Sequence, residues 1–268
     1  MTTLDSDTAY TGIDDLTVAL DDGVLTVTLN RPDSLNSLNY GMLTTLAETA
    51  ERAKSDPRVK VVRIGGAGRG FCSGAGISEE DHANGDSGDV LAAANRAVRA
   101  IMSLPQPAVA AVHGVAAGVG VSLALACDVV LASEKASFML AFTKIGLMPD
   151  GGASALIAAA VGRIRAMRMA LLAERISAAE AYDWGLVSAV HPADEFDAAV
   201  DAVIAGLRSG AAVALHKTKE AVNAATLTEL EAAIDRETAG QRVLLASADF
   251  REGVQAFQQR RPANFSGS

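Results

Sequence analysis

The sequence predicts an α/β fold that ends in a helical section. Three observations carry that reading. Short β-branched runs alternate with stretches of helical period between residues 16 and 190. Over residues 193–259 the strand signals stop and the pattern is helical almost throughout. Half of the 268 residues are hydrophobic and 21% are charged, which gives a sizeable core and excludes wholesale disorder.

The elements follow in order. Residues 16–20 and 24–29 flank Asp21-Asp22-Gly23, an alternating pattern around an Asp-Gly turn that predicts a β-hairpin. Leu43, Leu46, Ala47 and Ala50 recur at i, i+3, i+4 and i+7, so a helix follows, with Pro57 beyond its end. Residues 59–64 read as a β-branched strand running into a glycine-rich turn over 65–70. Residues 78–89 are polar and acidic and read as a loop, and a helix resumes over 90–102. Residues 107–112 predict a buried strand, 118–127 a helix and 128–131 another strand. Helical stretches come near 153–160 and 163–172. Ser177 and Glu180 have capping-box spacing, Gly185 is placed to stop that helix, and 186–190 reads as the last strand. Thr226 and Glu229 repeat the capping-box spacing inside the helical section.

Composition excludes several function classes. Lys and Arg total 23 against 32 Asp and Glu, a net charge of −9, which argues against a nucleic-acid partner because phosphate neutralisation needs clustered cations. Cys72 and Cys127 are too few for a disulfide framework and fit a reducing compartment. The first ten residues carry Asp5 and Asp7 and no basic segment before an apolar one, so the expected location is cytoplasmic. The apolar run over 109–126 is broken by His113, glycines and Ser122, and reads as a buried strand, loop and helix rather than a membrane span.

Familiar catalytic motifs are missing. No Gly-Lys-Ser/Thr closes a P-loop, and the glycine clusters lack the spacing of a dinucleotide site. Ser73 is not in a Gly-x-Ser-x-Gly elbow, and none of His82, His113, His191 and His216 has a ligand-like partner at helical spacing, so no metal is expected. His113 reads as a structural histidine bonding a loop carbonyl, and Cys127 as a small core residue. Two segments stand out together: residues 68–77 and 107–128, each a strand, a glycine-bearing turn and a helix. Small residues let a ligand approach the backbone, and the first amides of a helix have no intrahelical partner. Facing each other, such turns could direct two N–H donors at one oxygen. Alternatively, the glycines only permit tight turns.

Together these segments resemble the enoyl-CoA hydratase/isomerase (crotonase) superfamily. The matching phrases are Leu29-Asn-Arg-Pro-Asp-Ser-Leu-Asn-Ser-Leu38, Gly70-Phe-Cys-Ser-Gly-Ala75, residues 107–128, Ala136-Ser-Phe138, Lys144-Ile-Gly-Leu-Met-Pro-Asp-Gly-Gly152, Ile176-Ser-Ala-Ala-Glu-Ala181, Gly185-Leu-Val187, Ala256-Phe257 and Arg260-Arg-Pro-Ala-Asn-Phe265. The resemblance implies a crotonase-like spiral of ββα units over 1–192 that holds an acyl-CoA site, and a helical trimerisation section over 193–268. It implies an acyl-CoA thioester substrate, no cofactor beyond the coenzyme A the substrate carries, and a homo-trimer or a hexamer built from two trimers. It puts the two oxyanion amides at Ala75 and Val119. Ser73, Gly76 and Ile77 then flank the thioester, Asp33, Ser34 and Leu35 lie beside the nucleotide end, and Phe257 and Arg260 close over a coenzyme A site, often a neighbour's. Arg69 is placed to help with phosphates, although a solvated surface role is an equal reading for each arginine.

Carboxylates decide the reaction. Hydratases of the family use two glutamates; at those positions this chain has Ser122 and Phe142, and neither exchanges a proton near neutral pH. One acid remains, Asp150 in Met148-Pro-Asp-Gly-Gly152. The resemblance to members that move a double bond implies a Δ3 to Δ2 enoyl-CoA isomerase with Asp150 as base, its pKa raised by an apolar pocket. Asp150 also suits an N-cap for the helix starting near Ala153, and both roles are compatible. The alternatives are a hydratase or other enolate-forming lyase with water on Ser122, and a silent acyl-CoA-binding protein. In the helical section, Leu227, Leu230, Ile234, Leu244, Leu245, Val254 and Phe257 form an apolar seam that must cover its own core or a neighbour.

Overall fold

A computed structural model describes residues 10–77 and 86–268. The hairpin forms as expected: β1 (Leu16–Asp21) pairs antiparallel with β2 (Val24–Leu29). Asp22 and Gly23 turn it with φ of 44° and 81°, the two consecutive left-handed residues whose twist suits a two-residue hairpin. Next comes α1 (Tyr40–Ala53), capped by Asn39, whose side chain accepts from the Met42 N–H. After β3 (Val61–Gly66), α2 (Ser87–Met102) begins earlier than periodicity predicts, because Asp86 and Asp89 form a capping box. The rest of the expected acidic loop, 78–85, lies outside the described residues.

Then come β4 (Ala108–Val112), β5 (Val115–Ala117), α3 (Val119–Leu125), β6 (Val129–Ser133) and β7 (Ser137–Met139). A 3-10 turn over Ala141–Ile145 leads into α4 (Ala153–Leu172), which is broken at Gly162, where φ is 76° and ψ 160°. The break accounts for the two separate helical stretches in the sequence. The short β8 (Ile176–Ser177) enters α5 (Ala178–Trp184), which has the expected Ser177–Glu180 capping box and a left-handed Gly185 at its end. The last strand, β9 (Ala189–His191), starts three residues later than expected. The C-terminal helices are α6 (Phe196–Ser209), α7 (Ala212–Thr226), α8 (Leu230–Leu245) and α9 (Ala248–Gln258).

The Thr226–Glu229 capping box does not form. Thr226 is the last residue of α7 and its hydroxyl donates back to the Val222 carbonyl at 2.8 Å, while α8 starts after Glu229 with no side-chain cap. A threonine hydroxyl satisfied four residues upstream is not available to cap the next helix.

The large sheet has the order β1-β2-β3-β4-β6-β9, parallel from β2 onward, and a small sheet has the order β5-β7-β8. Successive turns of the chain add one strand to the large sheet, one to the small sheet, then a helix, as in β4-β5-α3 and β6-β7-α4. Single bridges extend the small sheet, joining Cys72 to Ala116 and Leu38 to Ala75. This is the crotonase-like spiral. Its main core lies between the large sheet and α1 to α4; on the other face Val61, Val109, Ala111 and Leu131 pack under Phe196, Val200 and Ile204 of α6. Burial on both faces is why the central strands read as unbroken apolar runs. Among the described residues no single helix is long and apolar enough to cross a membrane.

Candidate active site

The site is assembled from two backbone turns and one carboxylate. In the first turn, Phe71 and Cys72 N–H both donate to Val115 O, at 3.0 and 2.9 Å, and Ala117 N–H donates to Cys72 O at 2.8 Å. On the opposite edge Leu38 N–H donates to Gly74 O and Gly76 N–H to Leu38 O, both at 2.8 Å. Because Gly74 and Gly76 take the bonds to Leu38, the amide of Ala75 between them faces the other way. Asn36 makes the turn rigid: buried and left-handed at φ 59°, it donates to Ala67 O, Gly70 O and Phe71 O and accepts from the Arg31 N–H.

The second turn is Gly118, with φ 53° and ψ −133°, immediately before α3. Val119 is the first residue of that helix, so its N–H has no intrahelical acceptor. Neither the Ala75 nor the Val119 N–H donates to any other described group. The turns touch: a Cβ placed on Gly118 would lie 3.6 Å from the Gly74 Cα. The close approach of Gly74 and Gly118 sets Ala75 and Val119 on the wall of one pocket.

Asp150 sits on the loop before α4 and is buried, with 9% of its surface exposed. The loop is pressed onto α3: a Cβ on Gly151 would meet the Ser122 Cβ at 3.1 Å and Val119 Cγ2 at 3.2 Å. Ser122 Oγ donates to the Asp150 backbone carbonyl at 2.8 Å, so this hydroxyl proton is committed. Of the carboxylate oxygens, Oδ2 accepts from Gln241 Nε2 at 2.8 Å, and Oδ1 is buried without a partner among the described residues. Burial pushes the Asp150 carboxyl up to about 7; the Gln241 hydrogen bond opposes this, and the nearby Glu237 charge adds to it.

The N-cap reading of Asp150 is not what the structure contains. α4 is capped by Gly152 with no local side chain; the Ala153 N–H donates to the Asp150 backbone carbonyl, and the Gly152 and Ser154 amides go to Glu237 of α8. Gly152 N–H donates to Oε2 at 2.7 Å; Ser154 N–H and Oγ donate to Oε1 at 2.8 and 2.5 Å. A distant carboxylate has taken the capping task.

Ala75, Gly76, Ile77, Val119 and Asp150 line one narrow pocket of ≈ 60 Å³, walled by Val90, Leu91, Leu147, Leu245 and Phe250. Phe142 is buried behind it, with Cζ 3.8 Å from the Cβ position of Gly118. Ser73 ties the turn to its neighbour, as its N–H donates to Leu35 O and its Oγ to Ser34 O, both at 2.9 Å. Asp33 and Ser34 are in the 3-10 turn Pro32–Ser34, and Leu35 faces a separate groove of ≈ 980 Å³ that Arg69 also lines. Phe257 is 65% exposed and Arg260 is exposed; neither reaches the Asp150 pocket of its own chain. His113 Nε2 lies 2.9 Å from Gly68 O, the loop-carbonyl contact expected of it.

Sequence reasoning missed Glu237 and Gln241. The signal was present: with Leu230, Ile234 and Leu245 they fall on one stripe of α8, and a polar side chain on a buried stripe requires a polar partner.

Two abutting turns and a buried carboxylate beside one narrow apolar pocket, on a spiral of strand–strand–helix units, define the class of fold and site. A family profile described as enoyl-CoA hydratase/isomerase matches residues 20–268. The chain is 38% identical over 250 residues to the 1,2-epoxyphenylacetyl-CoA isomerase of Escherichia coli, covering 91% of this chain and 95% of that protein. It is 41% identical over 249 residues to a probable enoyl-CoA hydratase of Rhodobacter capsulatus, covering 92% and 96%. A crystal structure of an enoyl-CoA hydratase from Mycobacterium avium subsp. paratuberculosis matches with a TM-score of 0.89 at 66% identity, over 95% of this chain and 100% of that one. The chain belongs to the enoyl-CoA hydratase/isomerase family.

Proposed function

We propose that the protein is an enoyl-CoA isomerase that moves a double bond from Δ3 to Δ2. The observation that carries this reading is that Asp150, a buried acid whose Oδ1 has no partner among the described residues, lines one pocket with Ala75 and Val119, whose amides donate to no described group. Oδ1 takes a proton from C2 of a 3-enoyl thioester, and the electron pair of that bond delocalises into a dienolate. The two amides hold the thioester oxygen as charge develops, each worth about 3 kcal/mol. The protonated Oδ1 then returns its proton to C4, which leaves the conjugated 2-enoyl thioester and a regenerated carboxylate. A base with a pKa of about 7 can both accept and release a proton near neutral pH.

Standard hydration lacks its parts. By the family resemblance Ser122 and Phe142 take the positions of the two acids, and neither exchanges a proton near neutral pH; Ser122 Oγ is moreover donating to Asp150 O. The similarity to a named isomerase supports the reading, while the similarity to named hydratases makes hydration the competing outcome. The chemistry asks for no cofactor beyond the coenzyme A on the substrate. The buried free thiols Cys72 and Cys127 suit a reducing, cytoplasmic setting. Assembly as a trimer or a pair of trimers would cover the exposed apolar faces of α4 and of the C-terminal helices.

A panel of 2-enoyl- and 3-enoyl-CoA esters, followed by absorbance and mass, tests the proposal. Conversion of a 3-enoyl to a conjugated 2-enoyl ester at unchanged mass is expected. Gain of one water by a 2-enoyl ester, as fast as isomerisation or faster, would overturn it. Binding without turnover of any ester would point to a silent acyl-CoA-binding protein.

A further inference from the structure

We propose that Gln241 of α8 is a positioning residue for the Asp150 base: it fixes the carboxylate through Oδ2 so that Oδ1 alone meets the substrate, while Glu237 keeps the α4 amides from claiming that oxygen. The proposal rests on the isomerase reading and adds to it the part of the chain that holds the base in place.

Gln241 is 2% exposed, and its carboxamide is read from both ends. Oε1 accepts from the Met148 N–H at 3.1 Å, which fixes which end is oxygen. Nε2 therefore points the other way and donates twice, to Met148 O at 3.0 Å and to Asp150 Oδ2 at 2.8 Å. With one oxygen tied, the carboxylate cannot rotate without breaking a buried hydrogen bond, and Oδ1 keeps its unpartnered place. A donor on Oδ2 also favours the ionised form that a base must have.

Glu237 lies one turn earlier on the same helix. Gly152 N–H, Ser154 N–H and Ser154 Oγ all donate to it. Without it those donors would be left unpaired at the start of α4, on the same loop as the Asp150 carboxylate. Glu237 is also the one charged group among the described residues that acts on Asp150; Val90 and Leu91 of α2, Val119 and Ser122 of α3, Leu147, and Phe250 of α9 present uncharged side chains. Glu237 is itself held up by burial, against the opposing effect of the Ser154 and Gly152 bonds and the Arg236 charge.

Two variants test the contact. Gln241→Glu keeps size and the acceptor for Met148 N–H but loses the donor; Gln241→Met keeps volume and loses both. Thermal melts show which variants are folded, and either folded variant suffices. With a 3-enoyl-CoA ester, kcat at neutral pH is expected to fall about tenfold or more while KM stays within about threefold. The midpoint of the kcat/KM pH profile should rise by about one unit or more. Infrared difference titration of the Asp150 carboxyl, with Asp150→Asn as the blank, reads the same shift without turnover, starting from about 7 in the wild-type protein. An unmoved carboxyl titration and pH profile in a folded variant would overturn the proposal and leave Gln241 as a tie for Met148 only. A shifted titration in a protein whose wild type isomerises no 3-enoyl ester would support the hold on Asp150 and sink the isomerase reading instead.

Discussion

The two oxygens of Asp150 occupy different surroundings, one tied to Gln241 and one buried without a partner among the described residues, and that difference sets the residue-scale expectations. Asp150→Asn should lower isomerisation by about 10²-fold or more, the contribution of a general base, with acyl-CoA affinity within a few-fold. Near-wild-type turnover would show that another group is the base. In the wild-type protein kcat/KM should rise with pH through about 7 and then level off, because the carboxylate is the active form. Stability has the opposite dependence. The folded-state pKa of about 7 lies above the unfolded value, so between the two the native state binds more protons and loses stability as pH rises. Asp150→Asn removes this loss. Its melting temperature relative to wild type should therefore climb from about pH 5 to about pH 8, and a flat difference would mean that Asp150 is not protonated on folding. The acid itself was legible, because Pro-Asp-Gly-Gly is a local pattern. Its partners were not, since Gln241 is 91 residues away and only the fold brings it near.

At the scale of elements, what could be read was whatever local chemistry fixes. The Asp-Gly hairpin, the Ser177–Glu180 capping box and the Gly185 stop all formed where their spacing put them. The three-residue strands β5 and β7 escaped, being too short to show alternation, although β5 is what clamps the Phe71–Cys72 backbone beneath the Ala75 turn. Thr226–Glu229 shows the converse failure, where correct spacing fell across a helix end. Ser177→Ala should cost about 1 kcal/mol of stability, measured by denaturant titration, and leave turnover unchanged. Gly120→Ala should do the reverse. Its Cβ would lie 2.8 Å from the Cβ, Sγ and carbonyl oxygen of Cys72, so α3 and the first turn must separate, and with them the Val119 and Ala75 amides. Turnover is expected to fall about tenfold or more in a protein that still folds. Full activity would show that the two amides need not be held so closely.

For the whole molecule, the apolar seam divides in two. Leu230 and Ile234 are buried within their own chain, whereas Phe257 is 65% exposed and α7 has no buried residue at all. A second apolar face lies on α4 beyond the Gly162 break, where Ile164, Leu171 and Leu172 are 77%, 61% and 59% exposed. Faces of this kind are seldom left in water. Closed symmetry lets one patch serve every copy, so a trimer or a pair of trimers is expected. Light scattering should give three or six times the 27.5 kDa chain mass. Truncation before Thr226 is a poor test of what assembly does, because it also removes Glu237 and Gln241 and with them the hold on Asp150. The double substitution Leu171→Lys and Leu172→Lys leaves that network intact and charges only exposed positions. It should lower the measured mass while the melting transition of the single chain persists. A wild-type mass of 27.5 kDa would mean that these faces do stay in water, and an unchanged oligomer in the double variant would exclude the α4 face from the interface.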